Sequence, residues 1–121
     1  MSDSSRGRPL TLRCDQASIL ARGGFHPFRD GVEMSVIYED AQTGSSSALL
    51  RYAPGARIPA HRHPGYEHIW VLEGAQEDES GRYDAGTFVV NAPGSSHSVW
   101  SEEGCLVLIV WERSVKFLAD E

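Results

Sequence analysis

The chain has 121 residues, 40% apolar and 23% charged, the make-up of one globular domain able to bury a core without disulfide staples. Eleven basic against seventeen acidic residues leave a net charge of −6. This argues against nucleic acid or an anionic membrane surface as partners, since both need a basic footprint. No apolar run approaches the roughly eighteen residues of a membrane span, and the opening MSDSSRGRPL lacks the apolar stretch of a secretory signal. Cys14 and Cys105 are too far apart in sequence to suggest a disulfide framework, so the expected setting is the reducing cytoplasm.

In chain order, residues 1–9 are polar and rich in Gly and Pro, and are expected to be loosely attached. Residues 10–14 and 19–21 read as weak strands. Gly23-Gly24 reads as a turn into a loop, Phe25-His26-Pro27-Phe28, with two buried aromatics. Residues 32–39 are the first clear strand, with Val32, Met34, Val36 and Tyr38 alternating against Glu33, Ser35 and Glu39. After a turn-rich stretch, residues 48–53 form a strand closed by Pro54-Gly55. Residues 67–73 are strongly apolar, 77–82 carry a hairpin turn, and 87–91 are a short strand. Pro93-Gly94-Ser95-Ser96 turns the chain into residues 97–100, and Glu102-Glu103-Gly104 makes an exposed turn into the apolar strand 105–111. Residues 112–121 suit either a last strand or a short helix. Short strands punctuated at regular intervals, with no helical period, predict an all-β barrel or sandwich.

His61, His63 and Glu67 fall within seven residues. Imidazole and carboxylate together suit a mononuclear divalent ion of the Zn, Fe, Mn, Ni or Cu type. In extended backbone, residues i and i+2 share a face, so His61 and His63 point one way and Arg62 the other. Glu67 has the same parity, with Pro64-Gly65 expected to break the strand between. His26 and His68 carry no such spacing, and the parity of His68 turns it away from the site. No Ser-His-Asp order, Gly-rich phosphate loop or Cys-x-x-Cys motif is present.

The order Gly55, five residues, His61, one, His63, three, Glu67, six, Gly74 resembles the first motif of the cupin superfamily. Gly86, five residues, then Gly94 and His97 resemble its second motif. Ala92 stands where that motif usually has Pro, and Ser101 where it often has Asn. Over roughly residues 25–117 the chain is similar to the cupin domain of ChrR-type anti-sigma factors. The resemblance implies a small jelly-roll β-barrel over residues 25–121, preceded by an extension, 1–24, that is partly flexible or an edge strand. It adds His97 as a fourth ligand beside His61, His63 and Glu67, for one divalent transition metal per protomer.

Four protein ligands close the shell of tetrahedral Zn, or leave two open positions on octahedral Fe, Mn or Ni. Ile69, Val71 and Val99 share parity with the ligands and are expected to line the interior. Arg51 and Tyr66 are candidates for the pocket mouth, although Arg51 equally suits the surface. Trp70 and Trp100 have the other parity and suit packing or an interface. Two functions follow. One is a small-molecule metalloenzyme, for which the resemblance implies dioxygenase chemistry on diketones or aromatic ketones. The other is a metal-bound sensing module. In ChrR-type proteins the anti-sigma activity belongs to a separate N-terminal zinc domain with no expected counterpart in residues 1–24, so that activity is not expected here. The resemblance implies dimerisation through edge strands, and an exposed first strand would otherwise be a liability, so a homodimer is the expected assembly.

Overall fold

The computed structural model describes residues 7–120. The strands are β1 (His26–Arg29), β2 (Val32–Glu39), β3 (Ser46–Tyr52), β4 (Ala56–Arg62), β5 (Glu67–Asp78), β6 (Gly81–Asp84), β7 (Phe88–Asn91), β8 (Ser96–Ser101), β9 (Cys105–Trp111) and β10 (Lys116–Phe117). They form one curled antiparallel sheet in the order β1-β2-β3-β9-β5-β8-β4-β10, with β6 and β7 also paired to β5. The tail is both things its sequence allowed, a two-residue strand followed by a 3-10 turn at Leu118–Asp120.

β5 makes the curl possible. Its first half pairs with β9 on one side and β7 on the other, and its second half pairs with β6 and β8. A register shift lies between Val71 and Glu73, and Gly74 follows at φ +69°. A Cβ on Gly74 would stand 2.1 Å from the carbonyl oxygen of Gly104, so only glycine lets the strand turn this corner.

The concave side holds the main core: Leu50, Ile58, Ile69, Val71, Val99 and Val107 are all buried. The convex side carries a smaller cluster of Leu49 and Leu106 under Ile19. Here two expectations fail. Residues 10–14 form no strand, and residues 19–21 lie in a helix, α1 (Gln16–Arg22). Asp15 caps it by accepting from the Ser18 amide at 2.9 Å, and Gly23, at φ +66°, ends it. A two-turn helix that buries Ile19 alone is too short to show a period. That one side chain, fully buried, contributes on the order of 2 kcal/mol. The Phe25–Phe28 stretch is also more regular than expected, since β1 pairs with β2 and both phenylalanines are half-buried.

The alternation in β2 is likewise broken. Ser35 is buried because α1 ends over it: its hydroxyl donates to Gly23 O (2.9 Å) and accepts from Arg22 Nη1 (2.6 Å). A register shift between Val36 and Tyr38 then leaves Tyr38 exposed. Of the loose terminus expected over residues 1–9, residues 1–6 lie outside the described residues.

Candidate metal centre

β4 and β8 are ladder neighbours, and His61 stands directly opposite His97. His63 follows the end of β4, where its amide donates to Ser95 O (2.8 Å) and its carbonyl accepts from the Gly94 amide (2.7 Å). Pro64 and Gly65 turn the chain, and β5 begins at Glu67. Strand pairing therefore gathers at one end of the sheet what the sequence spreads over 37 positions, from His61 to His97. The imidazole rings of His61, His63 and His97 lie 4.7–5.1 Å apart, centre to centre. One donor atom from each ring and one Glu67 oxygen all fall within 4.8 Å of one another.

The protons on these rings follow from their outer partners. His61 Nδ1 lies 2.8 Å from the carbonyl oxygen of Pro59, which can only accept, so Nδ1 carries the hydrogen. His97 Nδ1 lies 3.0 Å from Asp78 Oδ2 and donates to it for the same reason. His63 Nδ1 lies 3.0 Å from Ser95 Oγ. That hydroxyl already donates to Ala92 O (2.5 Å), so it accepts from the ring. All three Nε2 atoms are thus left with a lone pair. Those of His63 and His97 are buried with no hydrogen-bond partner, the only such side-chain atoms among the described residues. His63 Nε2 stands 3.1 Å from Glu67 Oε1, a hydrogen bond only when the ring is protonated.

Glu67 is held just as firmly. Its two ladder neighbours are Asn91 on β7 and Trp111 on β9. Asn91 Nδ2 donates to Oε1 (3.0 Å) and Trp111 Nε1 to Oε2 (2.7 Å). Burial pushes the Glu67 carboxyl up, but contact with His63 and the positive charge that His63, His97 and His61 can carry outweigh it and hold it below its usual range. Burial also lowers His61. Both directions favour the deprotonated donors that a metal requires. Four converging lone pairs, two of them otherwise orphaned in a buried site, fit a divalent ion, and the outer hydrogen bonds supply the second shell such sites need.

The remaining expected residues separate. Ile69, Val71 and Val99 point inward and are buried, but they belong to the packed core. Arg51 does not line the site. It lies on the convex face, with Nη2 2.7 Å from Glu33 Oε1 and its guanidinium 4.3 Å from the Phe25 ring. The inward side chain at that point of β3 is Leu50, and one residue changes the face. Tyr66 is exposed and stacks on His68, away from the cavity described below. His26 is exposed and His68 half-buried, and neither joins the cluster. Asp78, Asn91, Ser95 and Trp111 escaped the sequence reading, because each meets its partner across strands. In the sequence Asp78 belongs to a hairpin turn; in the structure Oδ1 accepts from the Ser80 amide and the Tyr83 hydroxyl, both at 2.8 Å, while Oδ2 holds His97.

Beside the cluster a cavity of about 660 Å³ opens where β2 ends and β3 begins. Trp111 and Phe117 line it. The first bonds Glu67, and the second has its ring 5.7 Å from that of His61. Two aromatic side chains therefore form the partition between cavity and ligand set.

A family profile described as the ChrR cupin-like domain matches residues 17–114. The chain belongs to the ChrR cupin-like family. The match begins at Ala17, within α1. Over 77 residues this cupin is 32% identical to the anti-sigma-E factor ChrR of Cereibacter sphaeroides, covering 61% of the chain and 36% of that protein. The chain thus spans about a third of the length of the curated relative it matches. It is similar to a structure of Rhodobacter sphaeroides SigE in complex with the anti-sigma ChrR, at 26% identity and TM-score 0.64, over 72% of this chain and 47% of that one. It is also similar to an acetylacetone dioxygenase from Acinetobacter johnsonii, at 14% identity and TM-score 0.75, over 91% of this chain and 78% of that one. The last likeness establishes the cupin fold alone.

Proposed function

We propose that this cupin is a mononuclear metalloenzyme of dioxygenase type acting on a small molecule that reaches the metal from the cavity beside Trp111 and Phe117. The observation that carries this reading is the pair of orphaned, buried Nε2 atoms beside a cavity of about 660 Å³, within the range of small-molecule sites. His61, His63, Glu67 and His97 would hold the ion, and their donor chemistry suits Zn, Fe, Mn or Ni alike. When bound, such an ion supplies Lewis acidity and, if iron, oxygen chemistry. The protein's own part is to fix each imidazole through Pro59, Ser95 and Asp78, to clamp both Glu67 oxygens, and to keep water out with Trp111 and Phe117. Loaded anaerobically with Fe(II), the protein should give a new absorption band with nitric oxide and consume oxygen when supplied with acetylacetone. A ligand set that excludes nitric oxide, together with no oxygen uptake, would sink the enzyme reading.

A second reading, a metal-bound sensing module without anti-sigma activity of its own, is supported by the likeness to ChrR. It predicts a protein partner that co-purifies with the metal-loaded form and is lost with chelator. For either reading the proposed setting is the cytoplasm, in keeping with Cys14 and Cys105 both being unpaired. No helix among the described residues is long and apolar enough to cross a membrane.

The proposed assembly is a homodimer. On the convex face, Trp70 pairs with Phe88 and His68 with Val90, and Tyr66 stacks on His68. Tyr66, Trp70, Phe88 and Val90 are each 45–59% exposed. At about 100 Å² from each, these four supply roughly half of the ~800 Å² per partner that a stable interface buries. Among the described residues β7 pairs only with β5, which leaves its other edge for a second copy. Phe88→Glu should convert a dimer to monomer by sedimentation, and a wild-type chain that sediments as a monomer at high concentration would refute the assembly.

A further inference from the structure

The cavity's lining is selective in charge. Phe28, Met34, Val36, Ala48, Trp111 and Phe117 form its apolar walls, and Glu39 and Asp40 stand at its rim. Among the described residues, no lysine, arginine or histidine lines it. Arg29 comes near, but its guanidinium lies over the Phe117 ring at 3.8 Å and is not part of the lining. An anion entering would lose its hydration without gaining a cationic partner, a costly exchange, and would pass two carboxylates on the way. The inner wall has a second property. The Trp111 indole that faces the cavity also donates to Glu67 Oε2 at 2.7 Å, so anything packed against the indole presses on the group that orients a candidate ligand of the metal.

We propose that this cavity binds uncharged, largely apolar small molecules and rejects anions, and that Trp111 is a positioning residue through which occupancy of the cavity and of the metal centre strengthen each other. The coupling rests on the metal reading given above; the charge selectivity does not. A carboxylate-bearing substrate is thereby excluded and a neutral carbonyl compound or alcohol favoured. Linkage requires that a cavity ligand and zinc raise each other's affinity by the same factor.

The test uses benzyl alcohol, benzylammonium and benzoate, which share one ring and differ in charge. Calorimetric titration of the metal-free full chain should show the alcohol binding at least about tenfold more tightly than benzoate. Benzylammonium, whose head group can remain at the acidic rim, should fall between them. Equal binding of alcohol and benzoate, preference for benzoate, or no binding of any of the three overturns the charge selectivity. Zinc affinity is then measured by chelator competition with and without benzyl alcohol. A rise in the unaltered chain, lost in Trp111→Phe together with a 10–100-fold fall in zinc affinity, supports the coupling. An unchanged zinc affinity in the unaltered chain, or a rise that survives in Trp111→Phe, overturns it whether or not other variants fold. Failure of the unaltered chain to bind zinc would remove the metal reading and the coupling while leaving the charge ranking standing.

Discussion

The two ends of the curled sheet treat buried polar side chains differently. At the end where β5 turns its corner at Gly74, Gln76, Tyr52 and Ser101 are as buried as the apolar core, and each is partnered. Gln76 Nε2 donates to the Tyr52 hydroxyl (3.3 Å) and Ser101 Oγ to Ala75 O (2.6 Å). Nearby, burial drives the Cys105 thiol to about 12, so it stays protonated. At the other end every outward-facing atom of the histidine cluster is partnered too, yet two Nε2 atoms are left bare. A buried polar atom without a partner costs roughly 1–3 kcal/mol. One end therefore uses polarity to complete the packing, while the other withholds partners from atoms that a ligand can supply.

The largest expected effect breaks the second end outright. His61→Ala, His63→Ala or His97→Ala should each lower zinc affinity more than about 100-fold in chelator competition, exceeding the effect of losing an outer-shell contact. His26→Ala and His68→Ala should leave it within about twofold. Full metal retention by His97→Ala would mean that the four side chains do not act as one site.

Acid should act on the same end. Burial lowers His61 from its ordinary value of 6.5, so the folded state holds the ring neutral where the unfolded chain protonates it. That contribution is complete above pH ~6.5 and is lost as pH falls through the lowered folded value. Glu67 is also lowered, from 4.5, and its contribution disappears in a more acidic window by the same sign. Zinc release and the loss of zinc-dependent melting temperature should follow one curve below pH ~6.5, and melting curves with and without chelator should converge there. A chelator-insensitive melting temperature at neutral pH would show that the fold does not draw stability from the ion.

A smaller effect sharpens the contrast. Asp78→Asn keeps an acceptor for His97 but removes the carboxylate, and should weaken zinc binding 10–100-fold with little change in the fold measured by circular dichroism. At the partnered end, Ser101→Ala should cost about 1–2 kcal/mol in urea unfolding while leaving zinc affinity unchanged. Were Ser101→Ala to weaken zinc as much as Asp78→Asn does, the two ends could not be regarded as separate.

Much was legible in the sequence because it was local. The spacing of His61, His63 and Glu67 marks a shared face through the two-residue period of extended backbone, and the strands Val32–Glu39 and Cys105–Trp111 have the very bounds that their apolar patterning suggests. Parity also turned Ile69, Val71 and Val99 inward and His68 outward. Where locality ended, so did the reading. The two-turn helix has no period to detect, and the capping Asp15 and closing Gly23 are too common to announce it. Arg51 was one residue out of phase with the interior. The partners that make the centre what it is were beyond any local rule: Glu67 meets Asn91 and Trp111 at sequence separations of 24 and 44, His63 meets Ser95 at 32, and His97 meets Asp78 at 19. Backbone periodicity, a property of each residue's own dihedrals, determined which side chains could share a face; strand register, set only when the sheet curled and paired, decided which of them meet.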